Sequence, residues 1–253
     1  PAPLPDNVVP LRRAAPTRRY WLGGALAASI AAMVGLATLD RADPYVIEAA
    51  AGVPRSVTLA DGTRIDLNGG ARITLDHNDD RFAQLDRGEA AFSVVHHEDR
   101  PFAVTVGDAK LVDIGTVFNV LRDDKTTMVG VAEGEVEYRA AGIDKVSLTA
   151  GSTLRAVDGD TQLVVGRTEP GGLVAWREGR LVYDGVPIAQ VAADLSRNLG
   201  FTVSASPDIA ARPFRGVISF DRDRDGAIER LAPVLDAKAE RVSGGWMLTS
   251  RTR

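Results

Sequence analysis

Val57-Thr58-Leu59-Ala60-Asp61-Gly62-Thr63-Arg64-Ile65-Asp66-Leu67-Asn68-Gly69-Gly70-Ala71-Arg72-Ile73-Thr74-Leu75 is the stretch that decides the fold. Apolar and polar residues alternate in short runs, and Asp61-Gly62 and Asn68-Gly69-Gly70 interrupt them. Period-two alternation turns one face of an extended strand inward. Asp-Gly and Asn-Gly supply the positive φ that tight hairpins need, so three short strands joined by hairpin turns are expected here.

Working outward, the same pattern holds from Tyr45 to about Val157. Further strands are expected at 82–85, 91–95, 102–106, 110–114, 117–121, 128–132, 136–138, 146–148 and 153–157, with no helical period anywhere in the block. Many short strands at close spacing predict an all-β domain over 45–157, a sandwich or flattened roll. Gly88, Gly115, Gly130 and Gly134 then mark bulges and turns rather than phosphate loops.

Residues 158–172, rich in Gly, Asp and Thr and ending in Glu169-Pro170-Gly171-Gly172, read as a linker to a second unit over 173–253. There a strand at 181–183 leads to Pro187, placed where a first helical turn tolerates proline. Ile188, Val191, Ala192, Leu195 and Leu199 follow at helical spacing, and Gly200 stops the helix. Strands at 201–205 and 217–220 come next. Asp225 can cap a helix carrying Ile228, Leu231 and Leu235, which Pro233 shortens or kinks. A hairpin around Gly244-Gly245 ends the chain. The order β-α-β, then β-α-β-β, predicts a small α+β sandwich of two similar halves.

Upstream, residues 21–39 carry no charge. At 1.5 Å per residue they reach roughly 28 Å, enough for one transmembrane helix over 20–40. Arg12, Arg13, Arg18 and Arg19 precede it while acidic and basic residues mix after it, so the N-terminus is expected in the cytoplasm and the large C-terminal part outside. A cleaved signal peptide is the alternative; the small residues at Ala49-Ala50-Ala51 stand far from the apolar run for an ordinary cleavage site. Arg18 and Arg19, in Thr17-Arg18-Arg19-Tyr20-Trp21-Leu22, look like a twin-arginine export signal. Residues 1–19, crowded with Pro and Arg, are expected to be a disordered cytoplasmic tail. The sequence opens at Pro1 without a methionine, so a further segment is expected ahead of it.

Composition narrows the function classes. A net charge of −4 with both signs interspersed offers no footprint for nucleic acid. Without any cysteine there is neither a disulfide framework nor thiolate zinc, so stability must come from apolar cores. Asp221-Arg222-Asp223-Arg224-Asp225-Gly226 opens like a calcium loop, yet Ala232 stands where that loop needs its bidentate Glu. His96-His97-Glu98-Asp99 would point to alternate faces of a strand, with only His77 to help, and reads as a solvated strand end. With three His and no Gly-x-Ser-x-Gly, no metal, cofactor or catalytic residue is expected and the protein reads as a non-enzyme.

Five motifs carry a resemblance. Leu59 to Asn68 (LADGTRIDLN), Leu85 to Phe92 (LDRGEAAF), Arg100-Pro101-Phe102, Asp113 to Val120 (DIGTVFNV) and Glu133-Gly134-Glu135-Val136 follow one another as in FecR-type transmembrane sigma-factor regulators, and 176–250 is similar to the short N-terminal domain of secretins and TonB-dependent receptors. All five read as structural. The resemblance implies an inner-membrane signalling protein whose periplasmic part senses a TonB-dependent outer-membrane transducer in iron uptake and controls a sigma factor. It also implies a cytoplasmic helical domain that holds the sigma factor, which either lies ahead of Pro1 or is dispensed with in this member, the sigma factor being a partner only in the first case, and envelope proteases that cut the chain. Gly23 and Gly24 are then the candidate intramembrane cleavage region, because glycine costs a helix about 1 kcal/mol relative to alanine. Leu181, Ile188 and Leu195, spaced by seven, resemble a leucine-rich interaction motif of the family; partner contact and a place in the core both remain open for them. A second reading, from a different class, is a membrane-tethered or secreted envelope protein that binds a glycan or a secretin-type assembly.

Overall fold

The computed structural model describes residues 42–220 and 226–251. The expected tail at 1–19, the expected span at 20–40 with Arg18, Arg19, Gly23 and Gly24, and the charged stretch 221–225 with its expected cap Asp225 lie outside the described residues. Among the described residues no helix is long and apolar enough to cross a membrane.

Two sheets share one strand. The first holds β1 (Pro44–Glu48), β4 (Arg72–Asp76), β5 (Phe82–Ser93), β6 (Phe102–Val106), β7 (Ala109–Asp113), β10 (Glu135–Ala140) and β11 (Val146–Thr149), side by side in that order. The second runs β2 (Arg55–Thr58), β3 (Arg64–Leu67), β5, β8 (Val117–Asp123), β9 (Thr126–Glu133), β12 (Ser152–Val157) and β13 (Val164–Arg167). All pairs are antiparallel except β5 with β6. Residues 82–85 of β5 bond to β4 and β6, and 88–93 to β3 and β8. The expected sandwich is therefore present, with 82–85 and 91–95 forming one continuous strand rather than two. Gly88 is its corner: φ is +82°, and a Cβ there would lie 2.5 Å from the Ala71 Cα.

The Asn68 turn departs from expectation. It joins β3 to β4, which bond not to each other but to successive halves of β5. The turn carries the chain from one sheet to the other, so long-range pairing overrides the local hairpin signal. Asp61-Gly62 is a hairpin turn as expected, with Leu59 N–H bonded to Thr63 O at 2.8 Å and Gly62 at φ +88°.

Between the sheets lie Ile65, Leu67, Ile73, Leu75, Leu85, Phe92, Phe102, Leu111 and Phe118, all buried. The Phe92 and Phe118 rings stack with centroids 4.9 Å apart. Each such side chain stabilises the fold by about 1.5–3 kcal/mol. One cation sits among them. Arg81 is 4% exposed; it donates to Asp61 at 2.7 Å, to Val95 O at 3.0 Å and to Arg100 O at 2.8 Å. Burial alone would raise the Asp61 carboxyl, but the bonds from Arg81 and Thr63 outweigh it and hold it below the usual range. This cluster ties the 59–68 motif to Arg100-Pro101-Phe102.

The 158–172 stretch is more than a linker. It contains β13, which pairs with β12, and a 3₁₀ turn at Pro170–Gly172. A second 3₁₀ turn, Ala175–Glu178, opens the C-terminal unit. There β14 (Arg180–Pro187) leads into α1 (Ile188–Leu199), β15 (Thr202–Ala205), the short α2 (Pro207–Ala210), β16 (Pro213–Ser219), α3 (Ala227–Leu231), β17 (Ala237–Val242) and β18 (Gly245–Ser250). The expected order holds, with α2 added. The strands divide into a β14-β16 ribbon and a β15-β18-β17 sheet. Pro187 takes the N-cap position of α1, one residue before the first turn, and Gly200 closes that helix at φ +78°. Gly226 holds the N-cap of α3, which ends before Pro233, as the proline requires.

Candidate functional site

Leu181, Ile188 and Leu195 are 9%, 1% and 0% exposed and belong to the core of the C-terminal unit, so none of them presents a surface. Helix α1 faces that core with Val191, Ala192 and Leu199 as well. His96 and His97 are exposed beyond the end of β5, and His77 is on a different turn, within 3.2 Å of Asp43 and stacked on Tyr45. No group of metal ligands forms among the described residues.

The residues that the fold does bring together lie where the C-terminal unit meets the second sheet. Ala91 of β5 is wholly buried, and it packs into the C-terminal core rather than its own. Trp176, 6% exposed, belongs to the same core and donates its indole N–H to Asn119 Oδ1 at 3.0 Å. Arg177 reaches Asp66 at 3.4 Å. The turn after β3 closes on the end of α1: a Cβ on Gly69 would lie 2.3 Å from Gly52 N, and one on Gly52 would lie 2.6 Å from Leu199 C. Backbone meets backbone there, which only glycine permits.

Glu89 is the centre of the polar contacts. It accepts from Asn68 Nδ2 and from Asn119 Nδ2, both at 2.9 Å, and faces Arg197 Nε of α1 at 3.8 Å. Asn68 also donates to Asn198 Oδ1 at 3.2 Å. Three of the five motifs therefore converge on one carboxylate, and that carboxylate holds the C-terminal helix. Beyond Arg197 stands Asp194, bonded to Arg197 and accepting from Tyr183 OH and Gln190 Nε2, each at 2.9 Å. Burial pushes the Asp194 carboxyl up; Arg197 pulls it down, Glu89 pushes it further up, and it settles at about 6. Burial raises the Tyr183 phenol as well.

This network ends in a groove of about 740 Å³ between β12-β13 and β14, lined by Glu89, Leu173, Val164, Val182, Asp194 and Arg197 among others. Glu89, Asn68 and Asn119 lay within recognisable motifs, but their convergence had no local signal. Trp176 and Arg197 are far from their partners in the chain, and periodicity marks neither.

Residues 45–137 match the model of the FecR protein family. Two crystal structures of a candidate anti-sigma factor from Parabacteroides distasonis ATCC 8503 share the fold. One is 22% identical and the other 21%; they cover 83% and 82% of this chain and 100% of their own, each with a TM-score of 0.70. No curated protein matches the chain. Their coverage spans both units, so the docking of the C-terminal unit on the β-domain belongs to the shared fold. The FecR match thus covers most of the β-domain, and the fold likeness extends over the C-terminal unit as well.

Proposed function

We propose that the chain regulates a sigma factor and that its two docked units form the receiving end of the relay. The observation that carries this reading is the FecR match itself. It is supported by a fold shared, over more than four-fifths of the chain, with a protein described as a candidate anti-sigma factor. In finer detail, the apolar run at 21–39 crosses the inner membrane once with the arginine-rich side in the cytoplasm. The C-terminal unit then meets the periplasmic domain of a TonB-dependent transducer, and the signal concerns iron uptake. Regulation here is a binding event: the buried network is built from hydrogen-bonded, mutually engaged groups that join two units.

Transcription from a promoter of the accompanying sigma factor tests the role. Deleting the gene should change that transcription at least ten-fold, and loss of the transducer should produce a change only when the gene is present. Transcription indifferent to the gene in both backgrounds would sink the reading. A phosphatase fused after Arg253 checks the topology: it should be active outside the cytoplasm.

A further inference from the structure

Two carboxylates, one from each side of the junction, share a single guanidinium. Asp194 of α1 is ion-paired with Arg197 on its own helix, and Glu89 of β5 stands 3.8 Å from Arg197 Nε. All three side chains are largely buried, at 15%, 18% and 12% exposed for Asp194, Arg197 and Glu89. The Arg197 Nε–H has no hydrogen-bond partner among the described residues, so the contact across the junction is only half made. With both carboxylates ionised the three groups carry one excess negative charge out of water, which burial disfavours. One proton cancels it.

Geometry says where that proton goes. Both oxygens of Glu89 accept from amide groups, Asn68 Nδ2 and Asn119 Nδ2. Those amides cannot turn their oxygens to Glu89 instead, because Asn68 Oδ1 accepts from Gly69 N–H and Asn119 Oδ1 from Trp176. A proton on Glu89 would therefore meet only donors. Asp194 is different. Its Oδ1 accepts from Arg197 and Gln190, but its Oδ2 meets the Tyr183 hydroxyl at 2.9 Å. A hydroxyl accepts as readily as it donates, so a proton taken from water onto Oδ2 finds a partner in the Tyr183 oxygen. Burial pushes the same carboxyl up to about 6. The groove lined by Glu89, Tyr183, Asp194 and Arg197 gives water access to the cluster.

We propose that Glu89, Arg197 and Asp194 form a proton-sensitive clasp between the two units: acid neutralises Asp194, leaves the guanidinium to Glu89 and tightens the docking, and alkali loosens it. With the C-terminal unit lifted away, Asp194 loses the neighbouring Glu89 charge and gains water, so it holds a proton less tightly there. Docking then takes up a proton; the stabilisation is full at low pH and is lost as pH rises through about 6. The remaining charged groups on the elements packed against α1 leave this balance alone. Asp184 of β14 and Arg215 of β16 pair with each other at 2.7 Å, and Asp208 of α2 is bonded to Ser206. Arg155 and Arg167, which line the groove from β12 and β13, keep their charge throughout.

Amide exchange of the purified full chain in detergent, corrected for the intrinsic rate at each pH, tests the clasp. In the parent, α1 amides should be about three-fold or more better protected at pH 5 than at pH 7.5. Asp194→Asn carries the neutral form at every pH and keeps the three His, so there the gain at α1 should vanish. Glu89→Gln removes the like charge across the junction, and the Asp194 carboxyl, followed by its carbon-13 shift, should then titrate at a lower pH than in the parent. An equal gain in the parent and in Asp194→Asn, or an Asp194 titration unmoved by Glu89→Gln, would overturn the proposal. Should Asp194→Asn not fold, the carbon-13 titration decides alone. The clasp stands on the junction and not on the regulatory role: flat exchange leaves that role untouched, and transcription indifferent to the gene leaves the clasp in place.

Discussion

Trp176 Nε1 lies 3.0 Å from Asn119 Oδ1, a bond between residues 57 apart in sequence that fastens the start of the C-terminal unit to the middle of the second sheet. Replacing Trp176 by Phe keeps most of the ring and removes the donor. Asn119 Oδ1 is then left without that donor in a half-buried site, which should cost about 1–3 kcal/mol. Urea unfolding of the full chain measures it, and an unchanged midpoint would show that water replaces the bond.

The glycine junction predicts a ranking. Gly69→Ala forces a Cβ within 2.3 Å of the Gly52 nitrogen, whereas at Gly70, with φ +77°, nothing lies within 4 Å. The first substitution clashes with Gly52 inside the β-domain and with the Arg197 carbonyl of the C-terminal unit, 2.7 Å from that Cβ, and is expected to cost about 1–3 kcal/mol or more. The second is backbone strain alone, roughly 1–2 kcal/mol. Gly69→Ala should also loosen the C-terminal unit, seen as faster amide exchange in α1; equal exchange in both variants would count against a tight junction.

Asp194 predicts a dependence on pH. Its folded pKa of about 6 stands above the ordinary 3.8, so the folded state holds the proton more tightly than the unfolded chain. The stabilisation that goes with protonation is full below about 3.8 and is lost as pH rises through 6. On acidification from pH 7.5 to 5 the parent should therefore gain stability at this group, and Asp194→Asn should show a smaller gain. Asp61 runs the other way: its lowered pKa gives stability that is present above 3.8 and lost as pH falls through its folded value. Denaturant midpoints at four pH values separate the two.

Leu195, with no exposed surface, should cost about 2–5 kcal/mol when cut to Ala. A thermal melt gives the number. A loss below 1 kcal/mol would mean that the helix repacks around the cavity.

Periodicity revealed most of the elements, since alternation in 57–75 and the Ile188, Val191, Leu195 spacing each report on one local face. What it missed is physical in origin. Asp86-Arg87-Gly88-Glu89 looks like a break because it is polar, yet Gly88 turns the strand there without ending it. Asn68-Gly69 has hairpin chemistry, but β4 finds its partner in β5 rather than β3. Val164 and Val165 sit in a polar stretch whose partner, β12, alone makes it a strand. Glu89 could be seen in a motif; that Asn68, Asn119 and Arg197 gather round it depends on contacts made only after the sheets close.

The path that β5 takes has a mechanical consequence. The strand is central to both sheets, and its second half carries Glu89 and Ala91, the residues against which the C-terminal unit leans. A pull on that unit therefore loads the middle of the longest strand at its Gly88 corner, not a loose end of the fold. Drawing the C-terminal unit away therefore strains the one element common to both sheets, together with its anchors at Asn119 of β8 and Asp66 of β3.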